Sequence, residues 1–222
     1  MEDGIGQHNG MNSIKLTFTK TYESLFGQSK WWGAPDLPAG SPYPVVPCSE
    51  EGGEWDEPLT FLCQIRCEDI AALDPEGLLP HSGMLYFFAA VDYFLGIDGC
   101  PLDTPMGEWP RENVRIMYSP TCDGLEPYEM HWDDGTSVFQ PAEKLGFEAC
   151  GERGDSFKLL GRPYFDEICE LYDEEYVSVL QIDEEDDWRL RFFDCGMLCL
   201  LLRKSQLLAR DWESAVGYLH SF

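Results

Sequence analysis

The stretch SGMLYFFAAV at residues 82–91 contains the longest uninterrupted run of apolar residues in the chain. A second stretch, CGMLCLLL at residues 195–202, has the same Gly-Met-Leu entry followed by apolar residues. A short apolar run bounded by turn-forming residues is typical of a buried β-strand. The two stretches therefore predict two central strands that begin in the same way, behind Gly83 and Gly196.

Two shorter phrases precede each of these stretches, in the same order. Residues 62–65 read LCQI and residues 179–182 read VLQI. Further upstream, residues 32–35 read WGAP and residues 160–163 read LGRP. Because three phrases recur in one order, the chain is expected to contain an internal repeat.

The recurrence and the composition together predict the fold class. Twenty-one glycines and fifteen prolines among 222 residues indicate many turns, which favours strands over long helices. We predict an α+β, strand-rich fold in which two pseudo-twofold-related antiparallel β halves pack into one domain with few short helices. The domain is expected to span residues 13–222, with repeats over residues 31–95 and 159–210. Residues 1–12, rich in Gly, Asn and Gln, are expected to form a flexible tail.

The chain is strongly acidic, since 15 Lys and Arg residues against 41 Asp and Glu residues give a formal net charge of −26. Such a field repels nucleic acids and anionic membranes and attracts cationic groups. It predicts a basic protein or peptide partner or, as the alternative, solubility alone. The partner-binding candidates are the carboxylates of the two densest segments, Glu50, Glu51, Glu54, Asp56, Glu57, Asp183, Glu184, Glu185, Asp186 and Asp187.

The second acidic segment also predicts local structure. Five consecutive carboxylates at residues 183–187 repel one another, so we expect an exposed hairpin loop there. Residues 188–193 alternate between apolar and charged side chains, which predicts that the chain continues as a strand.

Polar and aromatic side chains within apolar phrases are the structural or cleft candidates. Gln64 and Gln181 occupy matching places in predicted strands. A buried amide without partners costs about 1–3 kcal/mol, so each amide is expected to be hydrogen-bonded. Two interpretations stay open: the amides fix loops of the fold, or they line a cleft together with Trp31 and Trp32.

Signals of catalysis, cofactors and metals are missing from the sequence. It contains no nucleophile-elbow, phosphate-loop or dinucleotide-binding motif. The four histidines, His8, His81, His131 and His220, have no second ligand at zinc-motif spacing. We therefore predict no catalytic residue, no cofactor and no metal site.

Cysteine usage and the N-terminal residues predict the compartment. The nine cysteines include no Cys-x-x-Cys pair, and the chain opens with polar and acidic residues rather than a secretory leader. No apolar run approaches the roughly 20 residues that span a bilayer. A cytoplasmic protein with free thiols is expected.

The phrases WGAPDLP at 32–38, PLTFLCQI at 58–65 and LPHSGMLYFF at 79–88 resemble the YwqG-like family, a bacterial family of unknown function. In the second half, LQI at 180–182 and DCGML at 194–198 follow the same pattern. The resemblance implies a strand-rich α+β fold with internal pseudo-twofold symmetry and a strand at the C-terminal end. It implies no catalytic residues.

The resemblance also suggests partners. YwqG-like proteins are distantly similar to the programmed-cell-death-protein-two group, whose members escort a basic ribosomal protein, and some bacterial relatives resemble immunity proteins beside toxins. With the acidic charge, this predicts a non-enzymatic module that captures a basic protein, either a toxin domain or a nascent nucleic-acid-binding protein. It predicts no direct contact with nucleic acid or membrane. The alternative is a small-ligand binder or enzyme with its site in the cleft between the two halves.

Overall fold

Strands dominate the computed structural model, which describes residues 13–50, 52–97, 100, 102 and 104–222. The strands are β1 (Ser13–Lys20), β2 (Lys30–Trp31), β3 (Asp36–Pro38), β4 (Val45–Glu50), β5 (Gly53–Pro58), β6 (Thr60–Arg66), β7 (Met84–Ala89), β8 (Gly107–Glu108), β9 (Val114–Ser119), β10 (Leu125–Pro127), β11 (Glu143–Cys150), β12 (Lys158–Leu159), β13 (Tyr176–Ile182), β14 (Met197–Arg203) and β15 (Val216–His220). The short helices are α1 (Cys67–Ile70), α2 (Asp166–Leu171) and α3 (Lys204–Ala209), with 3₁₀ turns at Asp92–Leu95, Arg111–Asn113, Asp186–Trp188 and Trp212–Ser214.

Eleven of these strands form one main sheet in the order β8-β15-β14-β13-β12-β1-β11-β2-β6-β7-β9. Neighbouring strands are antiparallel throughout. Two separate two-stranded sheets pair β3 with β10 and β4 with β5. The prediction of a strand-rich antiparallel fold with few short helices is confirmed.

The two apolar stretches form β7 and β14, as the sequence predicts. Every residue of β7 is buried, and β14 is buried up to its last residue, Arg203. β7 lies between β6 and β9, while β14 lies between β13 and β15. Strands with partners on both edges and side chains buried on both faces read as continuous apolar runs, which explains why the pattern was visible.

The glycine before each strand is required, but for different physical reasons. Gly83 adopts φ +87°, and a Cβ there would lie 2.1 Å from the carbonyl oxygen of Ser119. Gly196 lies outside the left-handed region, but a Cβ on it would lie 2.2 Å from the carbonyl oxygen of Phe192 and 2.8 Å from that of His220. Close backbone approach is therefore common to both positions, whereas the left-handed conformation occurs only at Gly83.

An aromatic cluster packs where the middle strands of the main sheet meet. The Trp31 ring stacks on Trp188 with 5.5 Å between centroids and meets Phe18 and Phe157 edge-on. Trp31 and Trp32 are 0% and 2% exposed; Trp31 belongs to the core, and Trp32, one of the residues predicted for a cleft, also lines the cavity described below. Edge-to-face and stacked rings at these distances add stability beyond area burial.

The C-terminal end and the residues after the acidic loop complete the comparison with the sequence. Residues 216–220 form β15, as the family resemblance implies, whereas the residue periodicity of this segment fits a helix as well as a strand. The strand predicted over residues 188–193 is wrong, because residues 186–188 form a 3₁₀ turn and Arg189 and Phe193 have positive φ. The predicted tail at residues 1–12 lies outside the described residues.

Within the described chain, no helix has both the length and the apolar character needed to span a membrane.

Candidate binding site

The Gln64 amide fixes the segments on either side of β2. Its Oε1 accepts a hydrogen bond from the Asp36 backbone N–H at 2.8 Å. Its Nε2 donates to the carbonyl oxygen of Gln28 and to Oδ2 of Asp36, at 2.9 and 2.7 Å. All three hydrogen bonds are made to groups of the protein itself, and the side chain is fully buried. This amide therefore has a structural role.

Gln181 makes a similar set of bonds in the C-terminal part of the chain. Its Oε1 accepts from the backbone N–H of Tyr164, and its Nε2 donates to the carbonyl oxygens of Gly154 and Ser156, each at 3.0 Å. This side chain is also fully buried. The two glutamines thus fix loops, and neither lines the cavity described below.

A lysine lies opposite each glutamine on the neighbouring strand, but the two lysines differ in their partners. Lys30, opposite Gln64, forms a buried ion pair with Asp36 at 2.9 Å. Lys158, opposite Gln181, donates instead to the carbonyl oxygens of Glu152 and Arg162, at 2.9 and 2.8 Å. Burial lowers the pKa of Lys158 to about 8, because the ammonium loses hydration without an ion-pair partner in the described chain.

A concave site of about 540 Å³, here called the cavity, is lined by residues from several segments of the first part of the chain. Its wall comes from Trp32 and Gly33, from the β4–β5 hairpin and the start of β6, from the segment after β7, and from residues 130–140. Ligand sites typically have volumes of about 300–1,000 Å³. The cavity is therefore large enough for a side chain or a small molecule.

Aromatic rings make up much of the cavity wall. Trp32 and Tyr43 lie inside it, while Trp55 and Trp132 are 37% and 55% exposed. The hydroxyl of Tyr43 donates to the carbonyl oxygen of Leu59 at 2.9 Å, which holds this ring in place. Two indoles with large solvent-exposed areas beside a concave surface are a feature of binding sites rather than of cores.

Two carboxylates, Glu57 and Asp92, line the same cavity. Oδ1 of Asp92 accepts a hydrogen bond from the hydroxyl of Thr60, and Oε2 of Glu57 accepts one from Trp55 Nε1 at 3.1 Å. Burial, followed by the charge of Glu57, raises the pKa of Asp92 to about 7. Neither carboxylate has a cationic partner among the described residues, and the described wall contains no Lys or Arg.

The first acidic segment forms the β4–β5 hairpin and is largely without counter-charges. Glu54 and Asp56 are exposed and make no ion pair with any described residue, and Glu57 is half-buried beside them. The side chain of Glu50 and the whole of Glu51 lie outside the described residues. The hairpin therefore presents unpaired negative charge next to the cavity.

The second acidic segment, residues 183–187, is only partly exposed. Asp183, Glu184 and Glu185 are half-buried, so the expected fully exposed loop is limited to Asp186 and Asp187. Both of these are ion-paired, Asp186 with Arg191 and Asp187 with Lys20.

Glu184 has a structural role within this loop. Its Oε1 accepts hydrogen bonds from the backbone N–H groups of Phe192 and Gly196, at 2.9 and 3.3 Å. Glu185 accepts from the N–H of Asp187 and so caps the 3₁₀ turn. Glu184 and Glu185 thus accept hydrogen bonds from backbone N–H groups of the loop. These bonds stabilise negative charge within residues 183–187, which follow one another directly in the sequence.

Several cavity residues were not singled out from the sequence. Asp92 directly follows the apolar run at residues 84–91, which is the available sequence signal, and in the structure it begins the 3₁₀ turn after β7. Trp132 and Phe139 belong to an irregular segment, where no periodicity marks them. Tyr43 was visible only as part of a proline-rich loop.

Comparison with known families matches residues 29–153 to the domain of unknown function DUF1963. Comparison with curated proteins gives no match. The match covers 125 of the 222 residues and includes every described residue of the cavity wall and the β4–β5 hairpin, whereas the acidic loop, Gln181 and Gly196 lie outside it. The chain therefore belongs to the DUF1963 family.

Proposed function

We propose that this protein is a non-enzymatic binding module that captures a basic protein or peptide on its acidic surface. The observation that carries the proposal is the unpaired charge of the β4–β5 hairpin, where Glu54 and Asp56 are exposed without cationic partners in the described chain. Exposed charges of one sign accelerate encounter with a partner of the opposite sign. A toxin domain or a nascent nucleic-acid-binding protein fits this charge, in the manner of an immunity or escort protein.

The hairpin is a better contact surface than the acidic loop. The exposed loop carboxylates Asp186 and Asp187 already pair with Arg191 and Lys20, so a partner would have to compete with those contacts. Glu54 and Asp56 have no such pair to lose. We therefore place the main cation-binding surface on the hairpin.

We further propose that the chain is YwqG-like and consists of two pseudo-twofold-related halves. The matched amide networks support this, because Gln64 and Gln181 each lie opposite a lysine and bind a backbone N–H six residues after it. Each strand also has a register shift ending at the residue before the glutamine, Phe61/Cys63 in β6 and Ser178/Leu180 in β13. Two segments with the same irregularity are more economically explained by duplication than by chance.

Affinity capture from host lysate tests the partner. Wild-type protein is expected to retain a basic protein at about 50 mM salt and less of it at about 300 mM, because salt screens exposed charges. The double variant Glu54→Gln/Asp56→Asn should retain much less. Asp186→Asn/Asp187→Asn is the matched control, because it removes two charges from paired positions and has the same net charge.

Three outcomes would contradict the proposal. The first is the recovery of no basic protein at either salt concentration. The second is equal loss of the partner in both double variants, which would mean that total charge, rather than the hairpin, governs retention. If a neutral partner is retained and neither variant weakens it, the acidity serves solubility and the proposal is wrong.

Small-ligand binding is a second candidate, and the cavity is the observation that favours it. The cavity lies between the hairpin, the segment after β7 and residues 130–140, within the first part of the chain. It is thus not at the place expected from Gln64 and Gln181. Its wall includes Cys100 and His131 beside the carboxylates and aromatic rings, but burial raises the pKa of the Cys100 thiol, which disfavours a reactive thiolate, so binding is favoured over catalysis.

A further inference from the structure

The cavity wall combines two kinds of groups that both attract positive charge. The indoles of Trp55 and Trp132 belong to this wall, and both side chains are partly exposed to solvent. The faces of aromatic rings carry negative electrostatic potential, and tryptophan is the strongest of the aromatic residues in attracting cations. Glu57 and Asp92 add carboxylates to the same wall.

The hydrogen bonds of the wall orient these groups. Trp55 Nε1 donates to Glu57, so the indole and the carboxylate on β5 are held at 3.1 Å from each other. On β6, the next strand along the chain, the hydroxyl of Thr60 donates to Asp92. Each carboxylate thus has one neutral donor, which fixes its position and leaves other oxygen lone pairs free to accept bonds from a ligand.

The charge of the wall selects the class of ligand. An anion would meet two carboxyl groups, and His131 is the one basic side chain among the described residues of the wall, which include no Lys or Arg, so an anion is disfavoured. A neutral apolar ligand would leave Glu57 and Asp92 partly desolvated and without a cation. An organic cation would satisfy the carboxylates through its N–H groups while its methylene groups contact the rings.

We infer that the cavity binds an organic cation, the ammonium or guanidinium group of a basic side chain, against Trp55 and Trp132 and between Glu57 and Asp92. The inference rests on the proposed function, because the side chain would belong to the basic partner that the hairpin attracts. The hairpin supplies long-range attraction, and the cavity supplies a specific contact for one residue. A free organic amine would offer the same cationic group as a basic side chain. The experiment below distinguishes these two sources of the cation.

Titration with small lysine derivatives tests this inference on the full chain. Nα-acetyl-lysine methylamide is the cationic probe, and Nα-acetyl-norleucine methylamide is a neutral probe of similar shape. Calorimetry, together with the tryptophan fluorescence, should show at least about tenfold tighter binding of the cationic probe. Glu57→Gln should weaken that binding at least about tenfold.

Glu76→Gln is the control for Glu57→Gln, because it removes the same charge at an exposed position outside both the cavity wall and the β4–β5 hairpin. It should change the affinity for the probe by less than about twofold. Trp132→Leu is a second variant, on another segment of the wall. It should lower the affinity for the cationic probe although the net charge is unchanged. Equal affinity for the two probes, or unchanged affinity in both Glu57→Gln and Trp132→Leu, would overturn the inference.

A lysine-containing peptide separates this inference from the proposed function. If the lysine probe binds as expected but basic peptides and proteins do not, the cavity takes a free amine, and the proposed function fails while the cation site stands. If basic peptides bind and neither cavity variant affects them or the probe, the cation site fails while capture by the hairpin stands.

Discussion

Replacing Gly196 with alanine is expected to lower the free energy of unfolding by about 3 kcal/mol or more, a large fraction of a typical total of about 5–15 kcal/mol. The new methyl carbon would lie 2.2 Å from the carbonyl oxygen of Phe192 and 2.8 Å from that of His220. Both contacts are with backbone, so neither can be relieved by rotating a side chain. Urea denaturation followed by far-UV circular dichroism measures the effect.

Gly151→Ala is the matched control, because no atom lies within 4 Å of a Cβ built there and its φ is outside the left-handed region. It should leave the midpoint of unfolding nearly unchanged. Gly83→Ala should also be strongly destabilising, since it combines a 2.1 Å contact with the Ser119 carbonyl oxygen and a φ of +87°. If Gly196→Ala unfolds at the same urea concentration as Gly151→Ala, the backbone does not pack closely against position 196, and glycine is not required before β14.

Replacing Gln181 with leucine is expected to destabilise the protein by about 3 kcal/mol, because it removes at once the three hydrogen bonds of a fully buried amide. The Tyr164 N–H and the carbonyl oxygens of Gly154 and Ser156 would lose their partner. Gln64→Leu should have an effect of similar size, since it frees the Asp36 N–H and the Gln28 carbonyl oxygen. Thermal and urea unfolding of both variants measure these losses.

Gln28→Leu is the control for these glutamine variants. The Gln28 side chain is exposed and makes one bond, to the carbonyl oxygen of Ser24, so its loss should change stability by less than about 0.5 kcal/mol. The two amides would not have similar roles if Gln64→Leu strongly destabilised the protein while Gln181→Leu left its stability unchanged.

The central strands could be predicted from the sequence because burial on both faces produces an apolar run that needs no periodicity. The repeated glycine was equally visible, but its physical reason was not. Gly83 and Gly196 carry the same letter, and only the three-dimensional positions of Ser119, Phe192 and His220 show which backbone atoms approach them. The strand predicted over residues 188–193 failed because Glu184 binds the Phe192 and Gly196 N–H groups and thereby competes with strand pairing.

The acidic segments could be located from the sequence, but their availability to a partner could not. Residues 183–187 carry more consecutive charge than the hairpin, yet Lys20, distant in sequence, neutralises Asp187. The hairpin has fewer acids and keeps Glu54 and Asp56 unpaired within the described chain. Counting charges along the chain cannot distinguish these cases, because ion pairing depends on tertiary contacts.

The cavity was the least predictable feature. Its wall combines the 3₁₀ turn that begins at Asp92 with the irregular segment containing Trp132, and segments without periodicity give no pattern to recognise. Gln64 and Gln181, which the sequence suggested for a cleft, are instead used up in fixing loops. Polar residues in apolar strands therefore indicated structure, whereas exposed aromatics beside unpaired acids indicate the site.

Equilibrium titration with a fluorescent octalysine peptide tests capture by the hairpin most directly. Wild-type protein should bind the peptide at about 50 mM salt, and the dissociation constant should rise steeply toward about 300 mM. Glu54→Gln/Asp56→Asn should weaken binding much more than Asp186→Asn/Asp187→Asn, although both variants have the same net charge. Equal weakening by the two variants, or no binding at low salt, would contradict a cation-binding surface on the β4–β5 hairpin.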